Sequence, residues 1–63
     1  MKLDDMVVKA IHDEQEAIDL YNAMLPQLEL TNQSKYASIV KVIRDQEMDH
    51  KAIFLVLQEF LKK

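Results

Sequence analysis

Apolar residues recur at alternating steps of three and four positions along both halves of the chain. This spacing lines up side chains along one face of an α-helix. The first series is Leu3, Val7, Ala10, Ala17, Tyr21, Met24 and Leu28, and the second is Tyr36, Val40, Ile43, Phe54, Leu57 and Leu61. The pattern therefore predicts two amphipathic helices, each with one apolar seam that faces a partner.

A break between the two series marks the turn. Pro26 lacks an amide hydrogen, and its ring clashes with the carbonyl four residues earlier, so we expect the first helix to end or kink there. Thr31, Asn32 and Ser34 are candidate N-caps for the second helix. The helices should have about 22–27 and about 27–30 residues. Residues 1–63 are thus predicted to form a single all-α unit, an antiparallel two-helix hairpin.

The composition narrows the possible functions. The 63 residues include no Cys and no Gly, which excludes disulfide scaffolds, thiolate zinc sites and glycine-rich phosphate loops. A net charge of −3 argues against a nucleic-acid binder. The longest apolar run, residues 52–57, is too short to cross a membrane, and the first residues lack a secretory signal. We therefore expect a cytoplasmic protein with neither nucleic acid nor membrane as a partner.

So short a chain needs additional stabilisation. A domain of about 60 residues buries only about 60% of the surface that its unfolded chain exposes. The apolar positions of the second helix also spread over about half of its circumference, which is more than one hairpin covers. We therefore expect homodimerisation into a four-helix bundle. Apolar residues on one flank of the second helix indicate contacts beyond the dimer: Val42, Ile53, Val56 and Phe60.

Three polar residues occupy positions within the apolar seams. Glu14 lies in the first seam, and Glu47 and His50 lie in the second, three residues apart, so that both project from one helix face. Glu14 and Glu47 have their midpoint at residues 30–31, near the predicted turn, so we expect antiparallel helices to hold both carboxylates at the same height. Because an unpaired buried charge is costly, each of these side chains needs a partner.

A dimer doubles this set to four Glu and two His, which is the ligand inventory of dinuclear carboxylate bundles. Carboxylates with one imidazole per metal suit iron or manganese better than copper, and the lack of thiolates disfavours soft ions. The spacing therefore predicts a di-iron or di-manganese centre shared between two chains. Taken singly, a Glu-x-x-His pair more often faces solvent, and one buried His is more often a core residue than a ligand.

Around these residues the chain resembles the ferritin-like superfamily. The segment 13–22, DEQEAIDLYN, is similar to a first-helix motif in which a ligand Glu is followed by Ala three residues later and by Tyr seven residues later. The segment 43–50, IRDQEMDH, is similar to the second-helix motif Asp-x-Glu-x-x-His. The likeness extends from about Val7 to Leu61. It is greatest to the two-helix encapsulated ferritins, with the rubrerythrins as more distant relatives.

This resemblance implies a ferroxidase centre at a two-fold interface. Glu14 and Glu47 would supply terminal and bridging carboxylates and His50 a terminal nitrogen, and Fe(II) would be oxidised by dioxygen or peroxide and passed to an iron store. Encapsulated ferritins also assemble from dimers into rings inside an encapsulin shell, to which a C-terminal tail directs them. The sequence ends at Lys63 without such a tail, which argues against a shell as a partner. Gln46 stands where many relatives carry a further acid.

Other residues near the predicted centre have weaker assignments. Tyr21, seven residues after Glu14, is either a core aromatic or a group that hydrogen-bonds a ligand, and packing plus a hydrogen bond is the favoured interpretation. His12 lies about 200° around the helix from Glu14, so we expect it to face solvent and to pair with Glu16. Acidic neighbours such as Asp13 form either an approach path for Fe²⁺ or simply a solvated face.

Two other functions are compatible with the same residues. The centre could act only as a non-catalytic metal staple that stabilises the dimer. The chain could also be an apo helical interaction module that kept the fold without the chemistry. Rapid aerobic oxidation of Fe(II) distinguishes a ferroxidase from both alternatives, and metal-dependent melting separates the staple from the module.

Overall fold

Two long helices joined by a short turn make up the computed structural model, which describes residues 2–62. Helix α1 spans Leu3–Leu30 and helix α2 spans Ser34–Leu61, each with 28 residues. A helix of this length measures about 42 Å, which accounts for most of the 48 Å long axis of the molecule. Residues 2–62 contain no strand. The predicted all-α helical hairpin is therefore confirmed, and the predicted length of the second helix is confirmed with it.

One of the two expectations for Pro26 was that helix α1 would end there. Instead, the helix continues for four more residues to Leu30. Proline removes the amide hydrogen that would bond to the carbonyl of Asn22, and it disfavours a helix interior by about 3 kcal/mol. The residues on either side of it gain packing in return. Leu25 is buried and Leu28 is partly buried against α2, so tertiary contacts hold the last turn of α1 in place.

The turn between the helices uses an asparagine where most proteins use glycine. Asn32 has a φ of 58°, in the left-handed region that follows many helix C-termini. Its amide donates to the carbonyl of Glu29 at 3.3 Å, and the amide of Gln33 donates to the carbonyl of Leu28 at 2.8 Å. These two bonds form a Schellman motif, which satisfies carbonyls that the end of α1 leaves free.

The three residues predicted to cap α2 have other roles. Thr31 is the C-cap of α1, and its hydroxyl donates back to the carbonyl of Gln27 at 2.9 Å. Asn32 makes the reversal, and Ser34 is already the first residue of α2. The N-cap is Gln33, which makes no side-chain capping hydrogen bond. The predicted caps were therefore wrong, because the polar residues of the turn serve the end of the preceding helix.

The core is a thin strip between the two helices. Within residues 2–62 the buried side chains are Val7, Ile18, Leu25, Ala37 and Val40. Many large apolar side chains stay exposed, among them Leu3, Met6, Leu20, Met24, Ile39, Val42, Ile53, Val56, Leu57 and Phe60. Among residues 2–62, the single hairpin therefore exposes more large apolar side chains than it buries. Neither α1 nor α2 has a stretch apolar enough, over sufficient length, to traverse a bilayer.

Candidate metal centre

Three metal-binding side chains meet halfway along the hairpin. Glu14 projects from the middle of α1, while Glu47 and His50 project from adjacent turns of α2. Each offers a donor atom, and these atoms all lie within 4.8 Å of one another. Residues three apart on a helix share a face, so α2 presents its carboxylate and imidazole together toward Glu14. The structure thus brings together the three residues that the sequence pattern singled out.

The two helices are shifted along their axes relative to the alignment that the sequence predicted. The turn is centred on Asn32, later than the midpoint at residues 30–31, so Glu14 lies opposite His50 in the antiparallel pair. His50 Nδ1 and Glu14 Oε1 are 3.9 Å apart. Glu47 lies three residues closer to the turn than His50, a distance of about 4.5 Å along the helix axis. Its long side chain reaches across this distance toward Glu14. The two carboxylates therefore meet without being at the same height.

Glu14 is the most enclosed member of the cluster. Its side chain is 19% exposed, against 55% for His50. The Oε2 atom of Glu14 is buried and has no hydrogen-bond partner within the part of the chain that the structure describes. A buried acceptor without a partner costs about 1–3 kcal/mol, and more when it is charged. This oxygen therefore lacks the cation or donor that its position requires.

The environment of Glu14 favours its protonated form. The pKa of Glu14 is raised above its ordinary value, first because a protonated carboxyl hydrogen-bonds to Glu47 and then because burial disfavours the charged form. The negative charges of Glu47 and Asp13 act in the same direction, and His50 opposes them. Without a metal, the two carboxyl groups are therefore best satisfied by sharing a proton. A bound cation would replace that proton and satisfy the same oxygens.

The donor set fits a hard or borderline divalent metal. Two carboxylates and one imidazole are ligands that suit iron and manganese, and thiolates are absent from the sequence. Three side chains cannot fill six coordination positions, so a complete site needs water, substrate or a second chain. The unpartnered oxygen of Glu14 is the structural observation that matches a missing metal bond. The residues present therefore fit the predicted metal as an incomplete ligand set.

The cluster opens onto an apolar surface. Glu14 and His50 line a shallow groove of about 270 Å³ together with Ile53 and Phe54. Ile53 is 65% exposed, so the wall of the groove is an uncovered apolar side chain. Water-facing apolar walls beside buried polar groups are typical of a surface that another element covers. The Glu14–Glu47–His50 cluster and the uncovered apolar surface are therefore continuous.

Tyr21 lies partly buried against the cluster of Leu25, Ala37 and Val40. This is the packing expected of a core aromatic. Across residues 2–62 its hydroxyl makes no hydrogen bond, so a bond from Tyr21 to a metal ligand stays a prediction.

A second cluster of metal-binding residue types lies on the outer surface of α1. Donor atoms of His12, Asp13 and Glu16 also lie within 4.8 Å of one another, and the expected pairing of His12 with Glu16 is confirmed at 3.7 Å. All three side chains are 54–69% exposed. Lys9 already pairs with Asp13 at 3.0 Å. This cluster is a solvated face, and it provides a matched control for experiments on the buried one.

Two residues next to the centre were not singled out from the sequence. Lys51 Nζ donates to Gln15 Oε1 across the helices, and these residues directly follow His50 and Glu14. The sequence offers one signal for them, because polar residues one position after two facing ligands fall on the same flank of an antiparallel hairpin, about 3 Å apart along its axis. Taken alone, each resembles any polar residue beside a seam.

No protein-family model matches the chain, and neither a curated protein nor a solved structure matches it. The functional assignment therefore depends on the site geometry and on the two motifs in the sequence.

Proposed function

We propose that this chain is a ferritin-like di-iron protein that oxidises Fe(II) at a dinuclear centre formed between two subunits. The observation that carries the proposal is the convergence of Glu14, Glu47 and His50 around a buried carboxylate oxygen without a partner. A purely structural polar cluster would be expected to satisfy that oxygen with both carboxyl groups ionised, without a proton shared between Glu14 and Glu47. A half-site leaves it available for a metal.

The partner in this proposal is a second copy of the same chain. The exposed side chain of Ile53 lines the groove of Glu14 and His50, and a hairpin with so thin a core needs more burial than it has. A two-fold axis through this surface would bring two identical half-sites together. The dimer would be a four-helix bundle with four Glu and two His in its interior. A larger ring, a cytoplasmic location and the expectation that an encapsulin shell is not a partner remain predictions from the sequence.

Iron is the substrate of the proposed reaction. Two Fe(II) ions give up two electrons, and dioxygen takes them up with two protons to form hydrogen peroxide; with peroxide as oxidant, the same electrons and two protons yield water. Glu14 and Glu47 bind the ions, and the proton that they share leaves when the first ion binds. Four carboxylates per dimer balance the charge of two divalent ions, which lowers the cost of placing them in the bundle. Manganese is the alternative ion for the same ligands.

Oxidation of Fe(II) under air is the direct test. We expect the wild type to oxidise two Fe(II) per dimer rapidly, and we expect E14Q and H50A to lose at least about tenfold in rate, because each removes a ligand. The double variant H12A/E16A removes the same residue types from the exposed cluster of α1 and should keep the wild-type rate. Equal rates in H50A and H12A/E16A would refute the proposed site.

The exposed apolar surface alone also fits a helical interaction module, with or without a structural metal. The same experiment separates these functions. A metal staple gives a melting temperature that rises with added metal but no Fe(II) turnover. A module without metal gives neither, and E14Q or H50A then leaves its stability unchanged or raised.

The shared site makes activity depend on assembly. We expect I53K to place a charge on the apolar wall of the groove and to shift the protein toward monomer in sedimentation experiments. Fe(II) oxidation should fall in parallel with the dimer fraction. A monomeric I53K protein that oxidises Fe(II) at the wild-type rate would contradict a centre formed between subunits.

A further inference from the structure

A chain of side-chain hydrogen bonds joins the helices on the flank away from the metal groove. Lys51 Nζ donates to Gln15 Oε1, and Gln15 Nε2 donates to Asp19 Oδ1 at 2.8 Å. Both ends of the Gln15 amide are therefore held by charged groups, which form stronger hydrogen bonds than neutral ones. We call the Lys51–Gln15–Asp19 chain the rear bridge. It fixes one amide of α1 to one ammonium group of α2.

The rear bridge lies at the same level of the hairpin as the metal cluster. Gln15 directly follows Glu14, and Lys51 directly follows His50. Successive helix residues are 100° apart, so these two neighbours fall on the other side of the contact between the helices. The grooves agree with this placement, because Gln15 and Lys51 line a different groove from that of Glu14 and His50. One layer of the hairpin thus carries a polar contact on each flank.

Of the two facing pairs, Gln15–Lys51 is joined by a hydrogen bond and Glu14–His50 is not. Glu14 Oε1 and His50 Nδ1 are 3.9 Å apart, beyond hydrogen-bond distance, so this contact cannot fix how far either helix rotates about its own axis. Rotation of α1 by a few tens of degrees would move Glu14 and Gln15 together. A rear bridge that keeps its hydrogen bonds prevents that rotation. It therefore holds Glu14 facing His50.

We propose that Gln15 and Lys51 are positioning residues of the metal centre, which hold the helix rotation that turns Glu14 toward Glu47 and His50. The inference rests on the proposed function, since it concerns the same ligands. Outer groups that orient metal ligands are worth about 10–100-fold in metal affinity. Loss of the rear bridge should therefore weaken metal binding while the helices remain intact.

The hairpin contains a matched control for this idea. Arg44 Nη1 donates to Asn22 Oδ1 at 3.1 Å, which is also a cross-helix hydrogen bond from a cation to a side-chain amide. It lies seven residues from the rear bridge on each helix, or about 10 Å along the axis. A purely structural role would make the two bonds equivalent. A positioning role predicts that loss of the rear bridge weakens metal binding and that loss of the Arg44–Asn22 bond does not.

Titration with Co(II), whose visible spectrum reports its ligand geometry, tests the proposal. We expect Q15M and K51M to bind Co(II) at least about tenfold more weakly than the wild type, with an altered spectrum. N22L should stay within about twofold, and K51R, which keeps the donor, should recover most of the affinity. Removing the charge of Lys51 by itself would strengthen cation binding, so a weaker K51M cannot be explained by electrostatics. Circular dichroism confirms that each variant keeps its helices.

A second measurement needs no metal. In the apo-protein, nuclear Overhauser contacts between the His50 ring and the Glu14 side chain report the rotation directly. We expect them in the wild type and N22L and expect their loss in Q15M and K51M. If Q15M keeps both the contacts and the Co(II) affinity, the positioning role is overturned. If the wild type binds no Co(II) but Q15M still loses the contacts, the proposed function fails and the positioning role stands.

Discussion

Replacing Glu14 with methionine should stabilise the metal-free protein. The substitution keeps the length and the unbranched shape of the side chain, and methionine is a good helix former. It removes a carboxylate whose Oε2 is buried and has no hydrogen-bond partner among residues 2–62. A structural residue at this position would be expected to contribute to folding. A ligand that lacks its metal should oppose it.

The size of the effect follows from the unsatisfied oxygen. Relieving one buried acceptor is worth about 1–3 kcal/mol. For a protein of this size, each kcal/mol corresponds to about 4–8 °C in melting temperature. We therefore expect E14M to unfold about 4–24 °C above the wild type, in chelator and at equal protein concentration. The matched variant E16M, at a position 68% exposed on the same helix, should change stability by less than about 0.5 kcal/mol.

The advantage of E14M should depend on pH with a definite sign. Because the pKa of Glu14 is raised in the folded state above its ordinary 4.5, the folded protein binds this proton more tightly than the unfolded chain. Glu14 is therefore best tolerated below pH 4.5, and its cost to stability grows as the pH rises through the folded-state pKa. The difference between E14M and the wild type should be small in acid and full at neutral pH.

Urea unfolding followed by circular dichroism, at several pH values and with chelator present, measures this difference. The reasoning is refuted if E14M is less stable than the wild type at neutral pH by more than about 1 kcal/mol, since Glu14 would then contribute a favourable contact to the metal-free fold. If E14M is more stable than the wild type by the same amount at every pH, the gain comes from packing of the methionine and not from removal of the carboxylate.

Three further predictions concern the turn, the proline and the metal. P26A should raise the free energy of unfolding by up to about 3 kcal/mol in urea, because it restores an amide hydrogen inside α1, and a destabilised P26A would contradict this. N32A should cost about 1–2 kcal/mol and N32G should not, because only the alanine is strained at a φ of 58°; equal effects in thermal melts would exclude that cause. Co(II) at about 100 times its Kd should stabilise the wild type by about 2.7 kcal/mol, and calorimetry of H50A should show no such gain.

The hairpin could be predicted from the sequence because each apolar seam is long and regular. The turn was harder to predict from the sequence. Pro26 gave a strong local signal for a helix end, but the burial of Leu25 and Leu28 outweighs it, and burial of that kind depends on the partner helix. Asn32 was assigned to a helix start because polar residues cap both ends, and only the backbone conformation distinguishes the two.

The residues of the site could be predicted from the sequence, but their relative heights along the hairpin could not. Glu14, Glu47 and His50 stand out because charged residues interrupt apolar seams. Their relative height depends on the centre of the turn, and an error of one to two residues there shifts the pairing by up to one helical turn. Gln15 carried no such signal, because a polar residue beside a seam usually faces water. The four-helix dimer stays a prediction.

Both ends of the hairpin lie together, since Asp4 and Val7 line the same groove as Gln58 and Leu61. Two copies could therefore be joined into one continuous polypeptide, and the linker would measure how they are arranged. If the copies run in the same direction, a connection of a few residues suffices. If they are inverted, the linker must cross the 48 Å length of the molecule, which needs at least about 14 extended residues. The shortest linker that yields a folded tandem protein thus gives the orientation of the dimer.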